Sequence, residues 1–266
     1  MLKYRIFTAL ILIPLFVALV VYSSPIVFCV VTAALVVLCA YEWSLLMGVV
    51  RFPYTLIYPA IILFALVSSL WLKIPEALAV AFVWWLFALL LVCSYPKISE
   101  TWGKGVTVRG FMGFFVLVPC WLSLNFIRNA GHGIAILLFL FVLIWGADTG
   151  AYFAGRKWGK NKLAPSVSPG KSLEGVLGAL VTTVVISIAA LMWLRPAYGE
   201  WWKFILLCLV TVLFSVLGDL FESMLKRKVG VKDSGKLLPG HGGILDRIDS
   251  LTAAAPIFAL GMIWLS

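Results

Sequence analysis

The residues best suited to chemistry lie in one stretch near the C-terminal end, from residue 215 to residue 250. Five of the eleven carboxylates in this 266-residue chain fall there, among flexible glycines and basic side chains. Carboxylates bind hard cations and basic side chains bind phosphate oxygens, so the mixture predicts a site for a polyanion held through a metal. The charged residues and the histidine of the stretch are Asp219, Glu222, Lys226, Arg227, Lys228, Lys232, Asp233, Lys236, His241, Asp246, Arg247 and Asp249.

The spacing of the acids predicts that they act in pairs at two helix ends. Asp219, Glu222 and Ser223 stand at i, i+3 and i+4, which places them on one face of a helix. Asp246 and Asp249 repeat the i, i+3 spacing at the start of the next apolar run. Such carboxylates can hold Mg²⁺ and leave positions for substrate phosphates, and the sequence leaves a second cation open. Carboxylates along an ion pathway would look similar, but the neighbouring basic residues and the Gly-rich run at 240–243 favour phosphate.

Asp148 is a second polar feature, set within an apolar run. It stands about seven residues, or roughly 10 Å at 1.5 Å per residue, inside the end of its span. Asp148 and Tyr152 share a helix face, so we expect a buried carboxylate that points into the bundle. Gly146 and Gly150 are four residues apart, which predicts the close approach of a neighbouring helix.

The segment 156–172 holds five basic residues and no acid. It ends in Ser168, Pro169, Gly170, Lys171 and Ser172, directly before an apolar run. A glycine-containing turn that presents backbone N–H groups and a lysine at a helix N-terminus predicts a phosphate cradle. Structural capping of the helix alone is the alternative.

The elements that position these residues are membrane helices. A mean hydropathy of +1.09, with 63% hydrophobic and 12% charged residues, excludes an ordinary soluble domain, in which about a quarter of residues are charged. The apolar runs lack the two-residue alternation of barrel strands, so an all-α polytopic membrane protein is predicted. About nine transmembrane helices are expected, at roughly 6–22, 25–47, 54–72, 77–95, 111–128, 134–155, 173–194, 203–225 and 250–266.

The basic residues predict the orientation of these helices. With a cytoplasmic N-terminus and a periplasmic C-terminus, all 21 Lys and Arg residues face the cytoplasm except Lys73, Arg128, Arg195 and Lys203. This asymmetry explains the net charge of +10 without nucleic acid as a partner. Residues 1–110 are predicted to form a scaffold of about four helices. Residues 111–266 are predicted to form a catalytic region of about five helices, with cytoplasmic loops at 156–172 and 226–249.

Glu42 is the exception within the predicted scaffold. A carboxylate at the bilayer centre costs about 2.5–3.5 kcal/mol, so such residues usually face protein or water. Glu42 stands near the cytoplasmic end of its run, where extension of the side chain to the membrane surface would also explain it. The sequence leaves open whether it takes part in the site.

The run from Ser223 to Asp249 resembles the signature of phosphatidate cytidylyltransferases, the CDP-diacylglycerol synthases. Its matching residues are Ser223, Lys226, Arg227, Lys232, Asp233, Gly235, Pro239, His241, Gly242, Gly243, Asp246, Arg247 and Asp249. The likeness extends over 140–254 through WGADTGAY, KLAPSVSPGKS and GDLFES, and the MLKYRI start is similar to the bacterial branch. The resemblance implies that CTP and phosphatidate become CDP-diacylglycerol and pyrophosphate with Mg²⁺, at the cytoplasmic face of the bacterial inner membrane.

The resemblance also implies roles for the site residues. Asp219 and Asp246 are expected to bind the metal directly, with Asp249 and Glu222 as ligands or supports. The triphosphate and pyrophosphate are expected to contact Lys226, Arg227, Lys232, His241 and Arg247. Lys171, Ser168, Gly170, Asp148, Ser223, Gly242 and Gly243 are expected to bind the substrates. A CTP-dependent lipid-alcohol kinase and an ion-coupled transporter are the alternatives, and a homodimer through the N-terminal helices is compatible with the sequence.

Overall fold

The computed structural model describes residues 2–97, 99, 105–194, 201–235, 237 and 242–265. These residues form nine helices and one short β-hairpin, so the predicted helical architecture is confirmed and the hairpin is an addition to it. The elements are α1 (Leu2–Tyr22), α2 (Pro25–Leu46), α3 (Ile57–Ser69), α4 (Ile74–Ser94), α5 (Val106–Asn129), α6 (Gly133–Trp158), β1 (Lys162–Ala164), β2 (Ser168–Ser172), α7 (Leu173–Leu194), α8 (Trp201–Lys228) and α9 (Leu245–Leu265).

The helices confirm a multi-pass membrane protein. Within the described residues, seven helices are long and apolar enough to cross a membrane, namely α2 and α4 to α9. The apolar segment Tyr54–Ser69, which contains α3, and the segment Ile13–Tyr22 of α1 are shorter. Length and composition therefore support seven spans directly, rather than the nine that were predicted.

Helices α5 and α9 lie at the centre of the bundle. Two-thirds of each span, 67%, is buried, against 28% for α7. Helix α9 packs against α8, α5 and α4 through small side chains, including the fully buried Ala253, Ala254 and Ala255. Gly218 of α8 faces α9 so closely that a Cβ atom there would lie 2.5 Å from the carbonyl oxygen of Asp249. The two helices that carry the paired acids are therefore in direct backbone contact.

Helices α6 and α7 form the second close pair. A Cβ atom at Gly146 would overlap Ile186 of α7, and one at Gly150 would overlap Thr182. The carbonyl oxygen of Gly150 would in turn lie 2.7 Å from a Cβ atom at Gly178. The close approach predicted from the spacing of Gly146 and Gly150 is confirmed, and α7 is the neighbour.

The C-terminal end of α2 is fastened to the start of α5. Trp43 Nε1 donates a hydrogen bond to the Arg109 carbonyl oxygen at 2.8 Å. Arg109 Nη1 donates to the Leu46 carbonyl oxygen at 3.0 Å, and the Tyr58 hydroxyl donates to the Gly110 carbonyl oxygen at 2.8 Å. The Leu46 carbonyl at the end of α2 thus gains a side-chain partner, and buried donors of Trp43 and Tyr58 find acceptors near the start of α5, which holds these ends in one position.

The polar segment between α8 and α9 is shorter than the predicted loop 226–249. Helix α8 continues to Lys228, and α9 begins at Leu245, five residues before its predicted start. Lys226 is therefore a helical residue, and its long side chain is buried against acids of α8 and α9. The charged residues around Lys226 and Asp246 had indicated a loop, but their ion pair allows both to lie within helices.

Candidate functional site

The candidate site lies where the ends of α2, α6, α7, α8 and α9 meet at one end of the bundle. Three contacts bring these ends together. Lys226 at the end of α8 contacts Asp246 in the first turn of α9, and Lys171 before α7 contacts Asp219 of α8. Glu42 near the end of α2 binds the backbone at the start of α9. Most of the residues predicted from the sequence are therefore gathered in one place.

Lys226 links the acids of α8 and α9. Its Nζ atom lies 2.7 Å from Asp246 Oδ1 and 3.1 Å from Glu222 Oε1. The three side chains are nearly enclosed, with exposed fractions of 11% for Lys226, 3% for Glu222 and 7% for Asp246. Apart from this ion pair, neither Glu222 oxygen accepts a hydrogen bond from any described residue. Glu222 is thus a buried carboxylate with unused acceptor capacity.

Asp246 anchors the segment before α9. Its Oδ2 atom accepts hydrogen bonds from the backbone N–H groups of Ser234 at 2.9 Å and Gly243 at 2.8 Å. Its Oδ1 atom accepts from Lys226 at 2.7 Å. Most of the acceptor capacity of Asp246 is therefore used within the protein. Direct metal binding by Asp246 stays a prediction, and it would require Lys226 to move away.

Asp219 and Lys171 form a second group of charges. Lys171 Nζ lies 2.7 Å from Asp219 Oδ2, and the Ser223 hydroxyl donates to Asp219 Oδ1 at 3.2 Å. Asp148 interacts electrostatically with both members of this ion pair. The pair is partly open to solvent, with exposed fractions of 26% and 32%. Its members are therefore accessible to a ligand.

Asp148 lies at the surface of the bundle but faces the charged groups of the site. Its side chain and that of Tyr152 are exposed, and Asp148 is close enough to Asp219 and Lys171 to interact with both charges. The Tyr152 hydroxyl accepts a hydrogen bond from Arg156 Nη1 at 3.2 Å. The buried face of this part of α6 carries the glycines that pack on α7, so the polar residues lie on its open face.

Asp249 lies between the two groups of charges. Its Oδ1 atom accepts from the Ser250 backbone N–H at 2.7 Å, and its charge interacts with those of both Asp219 and Glu222. Among the residues that the structure describes, no three His, Cys, Asp or Glu side chains converge in the manner of a bound metal. The predicted set Asp219, Glu222, Asp246 and Asp249 is thus brought into one neighbourhood but not into a coordination shell.

The predicted phosphate cradle is a β-hairpin. Lys162 pairs with Ser172 and Ala164 with Ser168, so Ser168, Gly170 and Lys171 all belong to strand β2. Ser172 then caps α7, because its hydroxyl accepts from the Gly175 N–H at 3.1 Å. The capping alternative therefore holds for Ser172, whereas Gly170 is exposed, with open space where a Cβ would lie.

The remaining basic residues lie around these groups. Arg227 Nε donates to the Val167 carbonyl oxygen at 3.3 Å, which fixes the tip of the hairpin against the end of α8. Lys232 and Arg247 are exposed. The Gly243 N–H is engaged by Asp246, and Gly242 has a φ of +81°, a conformation that favours glycine. His241 lies outside the described residues.

The sequence left open whether Glu42 takes part in the site, and the structure places it against the start of α9. It is 0% exposed, and its carboxylate accepts hydrogen bonds from the backbone N–H groups of Ile244 at 3.0 Å and Leu245 at 2.8 Å. The Ser234 hydroxyl donates to it at 3.3 Å. The available signal was a carboxylate within an otherwise apolar run, but nothing local identified its partners. Extension toward the membrane surface is excluded by its burial.

A large apolar cavity lies away from these residues. It has a volume of about 920 Å³ and is lined by residues of α6 and α7 near Arg128 and His132. Arg128 lines it, whereas none of the acids and lysines of the candidate site does. The chemistry of the site is therefore a property of the polar groups rather than of this cavity.

Comparisons with known proteins all point to one family. A model of the cytidylyltransferase family matches residues 3–264. The chain is 39% identical to the phosphatidate cytidylyltransferase of Haemophilus influenzae over 97% of this chain and 98% of that protein. It is 41% identical to the Pseudomonas aeruginosa phosphatidate cytidylyltransferase over 99% and 97% of the two chains. A Staphylococcus epidermidis protein of the same name is 34% identical over 65% of this chain and 76% of its own.

Proposed function

The chain belongs to the cytidylyltransferase family, and on that premise we propose that it converts CTP and phosphatidate to CDP-diacylglycerol and pyrophosphate. The observation that carries the proposal is the near-complete alignment with two proteins named phosphatidate cytidylyltransferase. The polar cluster supports it, because acids and basic side chains meet at one end of an apolar bundle. A charged nucleotide and the head group of a lipid can meet at such a boundary.

The reaction is an in-line displacement. A phosphatidate oxygen attacks the α-phosphorus of CTP, the bond from that phosphorus to the bridging oxygen breaks, and pyrophosphate leaves with the electron pair. The attacking phosphate is already ionised near neutral pH, so the reaction needs no strong general base. Positioning and neutralisation of the developing negative charge then supply the catalysis, as in phosphoryl transfer generally.

The acids of α8 and α9 fit a divalent cation in their chemistry. Glu222 has buried oxygens without hydrogen-bond partners, and Asp219 is partly open to solvent. Asp219, Asp249 and Glu222 would hold Mg²⁺, and Asp246 would join them if Lys226 moved away; otherwise Asp246 holds Lys226 and the segment before α9. When bound, Mg²⁺ would neutralise charge on the triphosphate and the leaving pyrophosphate. We also propose that the same acids could bind a second cation.

The basic side chains hold the substrates. Lys171 would bind a phosphate oxygen once its ion pair with Asp219 opened, which would free Asp219 to hold the cation. Arg227, Lys232 and Arg247 contact the triphosphate together with His241, and Lys226 orients Asp246 and Glu222. Asp148 borders the path by which the lipid head group enters from the open face of α6.

The membrane orientation also belongs to this proposal. The chain spans the bacterial cytoplasmic membrane nine times, with its N-terminus and the site in the cytoplasm and its C-terminus in the periplasm. The distribution of Lys and Arg supports this orientation. A cysteine at Gly131 should then react with an impermeant thiol reagent in intact cells, and one at Lys232 only in inverted vesicles. A homodimer through the apolar N-terminal helices would appear as an additional species in crosslinking.

Labelled CTP tests the reaction. Purified protein with Mg²⁺, phosphatidate and CTP labelled at the α-phosphate should transfer the label to lipid. In a parallel reaction with a lipid alcohol such as diacylglycerol, a CTP-dependent kinase would instead transfer a γ-label to the lipid hydroxyl and leave the α-label in CDP. Transfer of neither label by folded protein would contradict the proposed function and favour a transporter.

A further inference from the structure

We propose that Glu42 is a positioning residue for the transferase reaction. It holds residues 234–235 and 242–245, the two described ends of the segment that carries the predicted triphosphate contact His241, in register with the acids of α8. For the identity of the substrate the inference rests on the proposed function. Its structural part is independent of the substrate: Glu42, a residue of the predicted scaffold, determines where part of the site lies.

Glu42 binds both ends of this segment. Ser234 donates to it from the first end, and Ile244 and Leu245 donate from the second. Asp246 also contacts both ends, because it accepts hydrogen bonds from the N–H groups of Ser234 and Gly243. Two carboxylates therefore hold the two ends of the segment together.

The segment is shaped to fit this carboxylate. A Cβ atom at Gly235 would overlap Glu42 Oε1, and a Cβ atom at Gly243 would overlap the Ser234 hydroxyl and lie 2.5 Å from Glu42 Oε2. Neither position has a backbone φ that itself requires glycine. The absence of a side chain is thus explained at Gly235 by the close passage of the backbone past Glu42, and at Gly243 by Glu42 together with Ser234.

Glu42 is itself held in place by the fold. The adjacent Trp43 donates to the Arg109 carbonyl oxygen, and Arg109 donates to the Leu46 carbonyl oxygen. The end of α2 is therefore fastened to α5, which is a central helix of the bundle. A negative charge at the N-terminus of α9 also suits the positive end of the helix dipole. The position of the first turn of α9, with Asp246 and Asp249, follows from that of Glu42.

The primary test replaces Glu42 with glutamine. Gln has nearly the same shape, but its NH₂ group cannot accept a hydrogen bond from an α9 N–H, so the segment shifts. Because small displacements of reacting groups can cost about a hundredfold in rate, kcat/KM for CTP should fall about ten- to a hundredfold in Glu42→Gln. The KM for phosphatidate should stay near the wild-type value. Glu76→Gln makes the same substitution at an exposed acid of α4 and should leave both constants unchanged.

A second variant perturbs the contact from the other side. Gly235→Ala places a methyl group against Glu42 without removing a buried charge from the membrane span, and it should lower kcat/KM for CTP in the same way. Gly131→Ala is the matched control, because a Cβ atom there meets open space. If Glu42→Gln fails to accumulate in the membrane, the kinetics of Gly235→Ala test the role of Glu42 instead.

Limited trypsin cleavage provides a readout that is independent of activity. Lys232 is exposed two residues before the segment, and cleavage after it should be faster in Glu42→Gln and Gly235→Ala than in the wild type. Unchanged cleavage and unchanged kcat/KM for CTP in a folded variant would overturn the inference. If wild-type protein made no CDP-diacylglycerol, the proposed function would fail, and the cleavage rates would still decide the role of Glu42.

Discussion

Replacement of Lys226 by methionine should strongly destabilise the folded protein. The substitution keeps most of the side-chain volume but removes the positive charge between Glu222 and Asp246, whose side chains are 3% and 7% exposed. Removing one partner of a buried ion pair costs about 3–5 kcal/mol, because the remaining charge is left uncompensated. Asp246 keeps two backbone donors, whereas Glu222 has no hydrogen bond from a described residue, so most of the cost should arise at Glu222.

The double variant Lys226→Met/Glu222→Gln tests this assignment. Neutralising Glu222 removes the uncompensated charge, so the free energy of unfolding should recover by at least about 2 kcal/mol relative to Lys226→Met alone. The exposed pair Lys73 and Glu76 provides the contrast, because Lys73→Met should cost no more than about 1 kcal/mol.

Thermal unfolding in detergent, followed by the fluorescence of the chain's 12 tryptophans, measures these effects. At about 2–4 °C per kcal/mol, a loss of 3–5 kcal/mol lowers Tm by roughly 6–20 °C. A Lys226→Met variant with wild-type Tm, or a double variant no more stable than the single one, would refute the reasoning. A double variant that regained full turnover would show that Lys226 serves the structure and not the reaction.

Three further results are expected. Asp219→Asn should lower turnover at least about a hundredfold while the protein stays folded, as measured by CDP-diacylglycerol formation across a magnesium titration; wild-type rates at every concentration would remove Asp219 from the proposed metal site. Chelation of divalent cations should abolish turnover and added Mg²⁺ should restore it, whereas activity that survives chelation would exclude the cation proposal. Gly150→Ala should destabilise the α6–α7 pair by about 1–3 kcal/mol, because the methyl group overlaps Thr182, and an unchanged Tm would contradict the close packing.

Hydropathy and glycine spacing were sufficient to predict much of the fold. Each of the nine apolar runs corresponds to a described helix, and the pair Gly146 and Gly150 identified a close helix contact correctly. The helix ends were less predictable. Charged residues at the end of α8 and the start of α9 suggested a loop, but burial of Lys226 between two acids keeps these turns helical.

Long-range contacts account for what the sequence did not reveal. The hairpin β1–β2 contains Pro169 and Gly170, which locally favour a turn, and its pairing depends on contacts such as that between Arg227 and Val167. Glu42 was recognisable as an unusual carboxylate, but its partners lie about two hundred positions further along the chain. The residue types predicted which side chains gather at the site. Only the fold shows which of them form ion pairs or hydrogen bonds with each other and which remain exposed.

The contact between Glu42 and α9 also bears on how the protein is made. Helix α2 is synthesised early, yet the Ile244 and Leu245 amides that satisfy its carboxylate are separated from it by 202 and 203 positions. During synthesis Glu42 must therefore remain hydrated or protonated until the last helix enters the membrane. The site therefore forms only after α9 has entered the membrane. A chain without α9 would lack the amides that satisfy this buried acid.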